Sequence, residues 1–201
     1  MKTTLLTLTV ITAGLLSSAT AQAAAEKFKL ETPHTQVIFA VDHMGYSVSY
    51  GKFTSYDGEI ILDAEAPEKS SVTASIKTDS LELNHAEWNA HVKAADMLNT
   101  AQFPEITFKS TSVTRTGDQT ADVLGDLTIL GVTKPATLKV KHNKTADDTF
   151  VGMRKTGFSA TTSIKRSDFG LTKGIPYVGD NINIIIEVEA LGAPLPATAK
   201  E

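Results

Sequence analysis

What most constrains this chain is a hydrophobic period of two. Val37, Phe39 and Val41 alternate with Ile38, Ala40 and Asp42. Val72, Ala74 and Ile76 alternate with Thr73, Ser75 and Lys77. The same step recurs at Ile106 and Phe108, at Leu138 and Val140, at Phe158, Ala160, Thr162 and Ile164, and at Ile182, Ile184, Ile186 and Val188. Successive side chains of a strand point to opposite faces, so such a chain buries one face of an antiparallel sheet and wets the other. Helices do not alternate with these segments, which excludes a parallel α/β sheet. The fold class is all-β. About eight strands are enough to close an antiparallel barrel.

Turn residues divide the strands. Asp57-Gly58, between Phe53 and Ile60, reads as a hairpin or bulge. Gly131 to Pro135 breaks the apolar run that ends at Leu130. Further turns fall at 67–70, at Gly117-Asp118, at Asp147-Asp148 and between Gly170 and Gly174. One segment departs from the period. Asn84 as N-cap with Glu87 three residues on, then Trp88, Val92 and Ala95 at helical spacing, predict one inserted amphipathic helix over residues 84–97. The Ala- and Pro-rich stretch 192–201 is expected to be a flexible tail.

The N-terminus predicts a compartment. Lys2, an uncharged run over 3–18 and the small-x-small Ala21-Gln22-Ala23 have the order of a secretory signal peptide. Residues 1–23 are read as that leader, and 24–191 as one barrel domain. The chain has no Cys, so packing and backbone pairing hold it together, and thiolate chemistry is excluded. A formal charge of -4, with both signs interspersed, argues against a nucleic-acid partner.

Catalytic patterns are weak. Gly125 to Lys134 superficially suggests a phosphate loop, but Val132 follows Gly131 where the motif requires Lys. It reads instead as strand, Gly turn and strand. His85 and His91 are six residues apart, roughly 120° around a helix. They do not share a face as paired metal ligands do, so no metal and no cofactor is expected. The acids fall at solvent-facing positions or in turns, and Gly-x-Ser-x-Gly is absent. Arg166-Ser167-Asp168-Phe169-Gly170 has two readings. Arg166 either meets a ligand headgroup, or Arg166 and Asp168 bond local backbone while Phe169 plugs the core.

These segments resemble YceI-like proteins. The opening match is His34-Thr35-Gln36-Val37-Ile38-Phe39 with His43, Gly51-Lys52-Phe53 and Asp57-Gly58. Asn84-His85-Ala86-Glu87, the run from Phe103 to Thr111, the run from Gly125 to Pro135, and Arg166 to Gly170 follow in order. Thr35 stands where the family often has Ser. The resemblance implies a lipocalin-like barrel with a helix, exported to the bacterial periplasm. Some members bind polyisoprenoid chains or other long amphiphiles, and no catalytic residues are established for the family.

The functional expectation is a binding or carrier protein for a long apolar amphiphile, such as a polyisoprenoid or a fatty acid derivative, with no enzymatic step. The candidate tunnel residues are Val37, Phe39, Val41, Phe53, Trp88, Phe108, Leu127, Ile129, Phe158, Ala160, Ile184 and Ile186. Lys52, Arg154 and Arg166 are the rim candidates for a polar head. Transient contact with a membrane or a membrane protein is part of the same expectation. Two alternatives stay open: a filled barrel that acts through its loops as an interaction or stress protein, and a metalloenzyme that uses His85 and His91. Export gives the first test. N-terminal sequencing of the exported form is expected to start near Ala24, after cleavage at Ala23; an intact Met1 in the cytosol refutes the leader.

Overall fold

The computed structural model describes residues 25–196, so the leader expected over 1–23 lies outside them. The strands are β1 (Glu26–Leu30), β2 (Gln36–His43), β3 (Ser47–Phe53), β4 (Tyr56–Leu62), β5 (Ser71–Lys77), β6 (Leu81–Glu82), β7 (Glu105–Arg115), β8 (Thr120–Ile129), β9 (Val132–Asp148), β10 (Met153–Lys165) and β11 (Val178–Pro194). Helix α1 (Ala86–Lys93) lies between β6 and β7.

Eight strands form a closed ring in the order β1, β4, β5, β7, β8, β9, β10, β11, with β11 returning to β1. The pairings around the ring are antiparallel. Closure rests on the register Lys29↔Leu191 and Leu30↔Ala190. β2 then takes over the same edge of β11, pairing Val37 with Ile186 and Val41 with Ile182. β3 pairs with β2, and β6 adds Leu81 opposite Phe53.

Several turn readings change. Asp57-Gly58 makes no hairpin; both residues lie inside β4, opposite Ser75 and Ala74 of β5. A Cβ on Gly58 would come within 2.5 Å of the Thr73 carbonyl and 2.8 Å of Leu30, so close strand approach accounts for the glycine. The chain breaks instead at Thr54 and Ser55, whose amides donate to Ser80 Oγ at 3.2 and 3.1 Å. Leu130 and Gly131, with φ of 52° and 73°, join β8 to β9 as a two-residue hairpin turn. This is the strand, turn and strand expected in place of a phosphate loop. Pro135 sits within β9, opposite Asp126. The β9–β10 ladder reaches only Lys139, so at Pro135 that edge needs no amide donor.

The helix is shorter than expected. It runs from Ala86 to Lys93, with His85 as its N-cap and no side-chain capping bond. Asn84 is left-handed at φ 60°, and its amide donates to Glu82 Oε1 at 2.7 Å, so the predicted capping box does not form. The segment is fixed from elsewhere. Asn89 Oδ1 accepts from the Leu83 amide at 2.7 Å, and its Nδ2 donates to Glu82 at 2.9 Å. Ala94 is extended, and the chain then turns to send Leu98 into the core. Burying Leu98 wins over another helical turn. At the C-terminus β11 remains paired to Pro194, opposite Met153, so pairing continues past Gly192, where a flexible tail was expected.

Two apolar clusters pack in the barrel. The larger centres on Val37, Phe53, Leu81, Leu98, Ile106 and Phe169. The smaller packs Phe28, Ile60 and Ala190 beneath the closure seam. Phe28 is fully buried, and a Cβ on Gly192 would come within 2.9 Å of its ring. Phe28→Ala is expected to cost about 3–5 kcal/mol in urea denaturation. The fully exposed Phe150→Ala should change stability by less than about 0.5 kcal/mol.

Candidate binding cavity

The strands enclose a cavity of about 650 Å³ whose walls are overwhelmingly apolar. It lies in the roughly 300–1,000 Å³ range of small-molecule sites. It follows from the period of two, because each wall strand sends alternate side chains inward. β2 contributes Val37 and Phe39, and β3 contributes Phe53. Phe108 of β7 faces Leu127 and Ile129 of β8. Phe158 and Ala160 of β10 and Ile184 and Ile186 of β11 complete the expected set that reaches the cavity. Leu138 and Val140 of β9 and Val123 of β8 join them.

The remaining candidates are placed elsewhere. Val41 is half-buried near the β2–β3 turn and does not border the cavity. Trp88 is about half exposed and packs on His85 and His43, with ring centroids 5.5 and 6.2 Å away. The truncated helix presents Val92 to the cavity instead. Lys52 is exposed because its neighbours Gly51 and Phe53 take the inward positions.

The two ends differ. At the helix end Leu81, Leu98 and Phe169 are buried and form a plug. At the other end the β4–β5 loop and the β7–β8 turn surround an opening bordered by Asp63, Pro67, Arg115 and Gln119. Arg154 lies at this mouth. Its Nε donates to Glu26 at 3.0 Å and its Nη1 to Asp147 at 3.1 Å. Both carboxylates raise the guanidinium pKa, Glu26 most strongly.

Arg166 is structural. Its guanidinium donates to the carbonyls of Gly179, Leu171, Lys173 and Val178 at 2.8–3.0 Å. Burial pushes its pKa down, while Asp180 acts in the opposite sense. Asp168 is exposed, so the expected backbone role passes to Asp180. Asp180 accepts from the Ser167 amide at 2.9 Å and hydroxyl at 2.8 Å, which holds its pKa down. The loop that Arg166 organises is tied to the post-helix segment by a Lys173–Asp96 ion pair. Sequence spacing had singled out this cluster, but not the four carbonyls that converge on one side chain.

His85 and His91 belong to no ligand cluster among the described residues. Glu31, His34 and Glu189 do lie close together. His34 Nδ1 is already 2.9 Å from Glu31, and the Lys155 ammonium occupies the Glu189 carboxylate. A half-buried network of local polar contacts accounts for that arrangement.

A closed antiparallel barrel with an apolar interior, plugged at one end and open at the other, has a lipocalin-like architecture. The chain belongs to the YceI-like family: a model of the YceI-like domain matches residues 28–190. It is 41% identical over 191 residues to protein YceI of Escherichia coli O157:H7, covering 95% of this chain and 98% of that protein. Its fold is similar to the crystal structure of Burkholderia cenocepacia BcnA, with a TM-score of 0.73 at 21% identity, over 80% of this chain and 98% of the other. A polyisoprenoid binding domain from Saccharophagus degradans, implicated in plant cell wall breakdown, gives a TM-score of 0.61 at 14% identity, over 84% and 99%.

The structural role of Arg166 is testable. Arg166→Met keeps the aliphatic stem but leaves four carbonyls without this donor. It should lose about 3 kcal/mol or more of unfolding free energy. Lys52→Met, at an exposed site, should lose less than about 0.5 kcal/mol.

Proposed function

We propose that this protein binds and carries one long, mainly apolar amphiphile, such as a polyisoprenoid or fatty acid derivative, in the periplasm. It acts by holding that chain and not by catalysis. The observation that carries this reading is the apolar cavity of about 650 Å³ with a single-ended opening. With a methylene taken as about water-sized, roughly 30 Å³, that volume corresponds to on the order of twenty chain carbons. Each methylene withdrawn from water contributes about 0.8 kcal/mol. A carrier of this kind therefore needs a dry wall more than specific polar contacts. The fold likeness to a polyisoprenoid binding domain supports the same class of cargo. Export by the leader at 1–23 would put the barrel where lipids must cross water between membranes, with transient membrane contact for loading.

Ala160 gives the sharp test. It is buried, borders the cavity and lies opposite Val140 and Ile186 on the flanking strands. Ala160→Trp should fill the tunnel and lower affinity for a polyprenyl or fatty-acid probe by at least about tenfold. Circular dichroism checks that the variant is folded. Unchanged affinity and stoichiometry in a folded Ala160→Trp protein would place the ligand outside the barrel.

A further inference from the structure

Large apolar side chains reach water at both ends of the barrel, and at the open end they stand on a firmly bonded turn. Thr149 to Gly152 join β9 to β10. Phe150 is 99% exposed and Val151 51%. Phe150 therefore touches almost nothing of its own chain and adds nothing to the core. Asp148 fixes the turn from behind. Its Oδ1 accepts from the Phe150 amide at 3.0 Å and the Val151 amide at 3.3 Å. Its carbonyl accepts from the Gly152 amide at 2.8 Å, and Gly152 supplies the left-handed residue at φ 70°. The end of β11 widens the same tip. The Leu195 amide donates to the Gly152 carbonyl at 2.9 Å, between the exposed Pro194 and Pro196. Backbone bonds, and not packing, thus hold Phe150 and Val151 out in water.

The tip stands beside the cavity mouth. Asp147, immediately before the Asp148 cap, accepts from Arg154 Nη1 at 3.1 Å, and Arg154 lines the cavity. The opposite end also exposes aromatic rings, Tyr46 and Tyr177 among them. There, however, Leu81, Leu98 and Phe169 close the barrel, so contact at that end gives an apolar chain no path inward.

The charges at the open end narrow the choice of partner. Arg115 is paired with Asp118, Arg154 with Glu26 and Asp147, and Lys155 with Asp148 and Glu189. In the β4–β5 loop Glu65 and Glu68 outnumber Lys69. An anionic surface therefore gains little here, whereas an uncharged apolar phase gains the exposed area of Phe150 and Val151. A protruding tip needs a matching hole in a protein partner. A lipid layer opens around it.

Resting on the carrier reading above, we propose that the β9–β10 turn is a membrane-docking wedge. Phe150 and Val151 enter the interface of a zwitterionic lipid bilayer and set the cavity mouth against the lipid from which the apolar chain is drawn.

The test uses the chain from Ala24 onward, which contains the whole barrel, and vesicles of phosphatidylcholine and phosphatidylethanolamine. In sedimentation with the vesicles, Phe150→Ala should lower the partition coefficient about five- to tenfold. Tyr46→Ala, at the plugged end, should stay within about twofold of the unaltered protein. Adding phosphatidylglycerol should change partition by less than about twofold. Trp88 is the one native tryptophan, so Phe150→Trp in a Trp88→Phe background reports on the tip alone. Its emission should shift to the blue on vesicles and be quenched by brominated lipid. Partition that falls in Tyr46→Ala but not in Phe150→Ala overturns the proposal. So does partition that appears only with phosphatidylglycerol, or tip emission that vesicles leave unchanged. A soluble fluorescent fatty-acid probe separates this from the carrier reading. Phe150 does not line the cavity, so Phe150→Ala should bind that probe within about twofold of the unaltered protein. Unaltered protein that binds the probe but no vesicle refutes the docking alone. Partition through Phe150 without any probe binding keeps the docking and refutes the carrier reading.

Discussion

The short ladder between β1 and β11 carries the architecture. Without Lys29↔Leu191 and Leu30↔Ala190 the ring becomes an open sheet with two unpaired edges and an apolar face turned to water. Backbone pairing over so few residues is weak by itself, and side-chain packing reinforces it. Phe28 fills the space beneath the seam, and the small residues Ala190 and Gly192 let β11 pass over its ring. β11 can serve three neighbours because it is 17 residues long. One stretch closes the ring with β1, and another continues on β2, while its opposite edge stays on β10.

Closure leads directly to an inside, and the unequal ends of that inside give it a polarity. The helix end is closed by Leu81, Leu98 and Phe169, and the adjoining loop is held by Arg166 through backbone carbonyls. Placing the buried cation in a cage of carbonyls keeps a charge near an apolar space without offering it to a ligand. The open end carries most of the cavity's ionic groups, and its two arginines, Arg115 and Arg154, are paired with acids at the rim. Between the two lies a wall in which hydrocarbon gains by leaving water and an unpaired charge loses. His142 interrupts that wall in the ordinary alternation of β9, and Thr145 joins it because one extra residue shifts the parity of the strand.

Much of this was legible in the chain. Alternation is a local consequence of strand geometry, so the strand faces and the inward positions Val37, Phe39, Phe108, Leu127, Phe158, Ala160 and Ile184 could be read directly. The placement of Trp88 could not. Its helical spacing with Val92 was real, but which side of so short a helix meets the barrel depends on Asn89 and Glu82 docking it to β6. Asp57-Gly58 misled for a related reason. A glycine needed for close strand approach looks the same in sequence as one needed for a turn.

The amino-acid sequence by itself determined an all-β antiparallel chain without cysteines, its inward faces, and an N-terminal segment with the pattern of an export leader. These follow from periodicity and composition, which act over a few neighbouring residues. Only the tertiary structure decided that the barrel holds a cavity and is not filled, which end is plugged, and that Arg166 is consumed by backbone while Arg154 guards the mouth. It also decided that His142 and Thr145 face inward together. Each of these depends on distances between strands far apart in the chain and on a bulge in register, quantities that a local period does not contain.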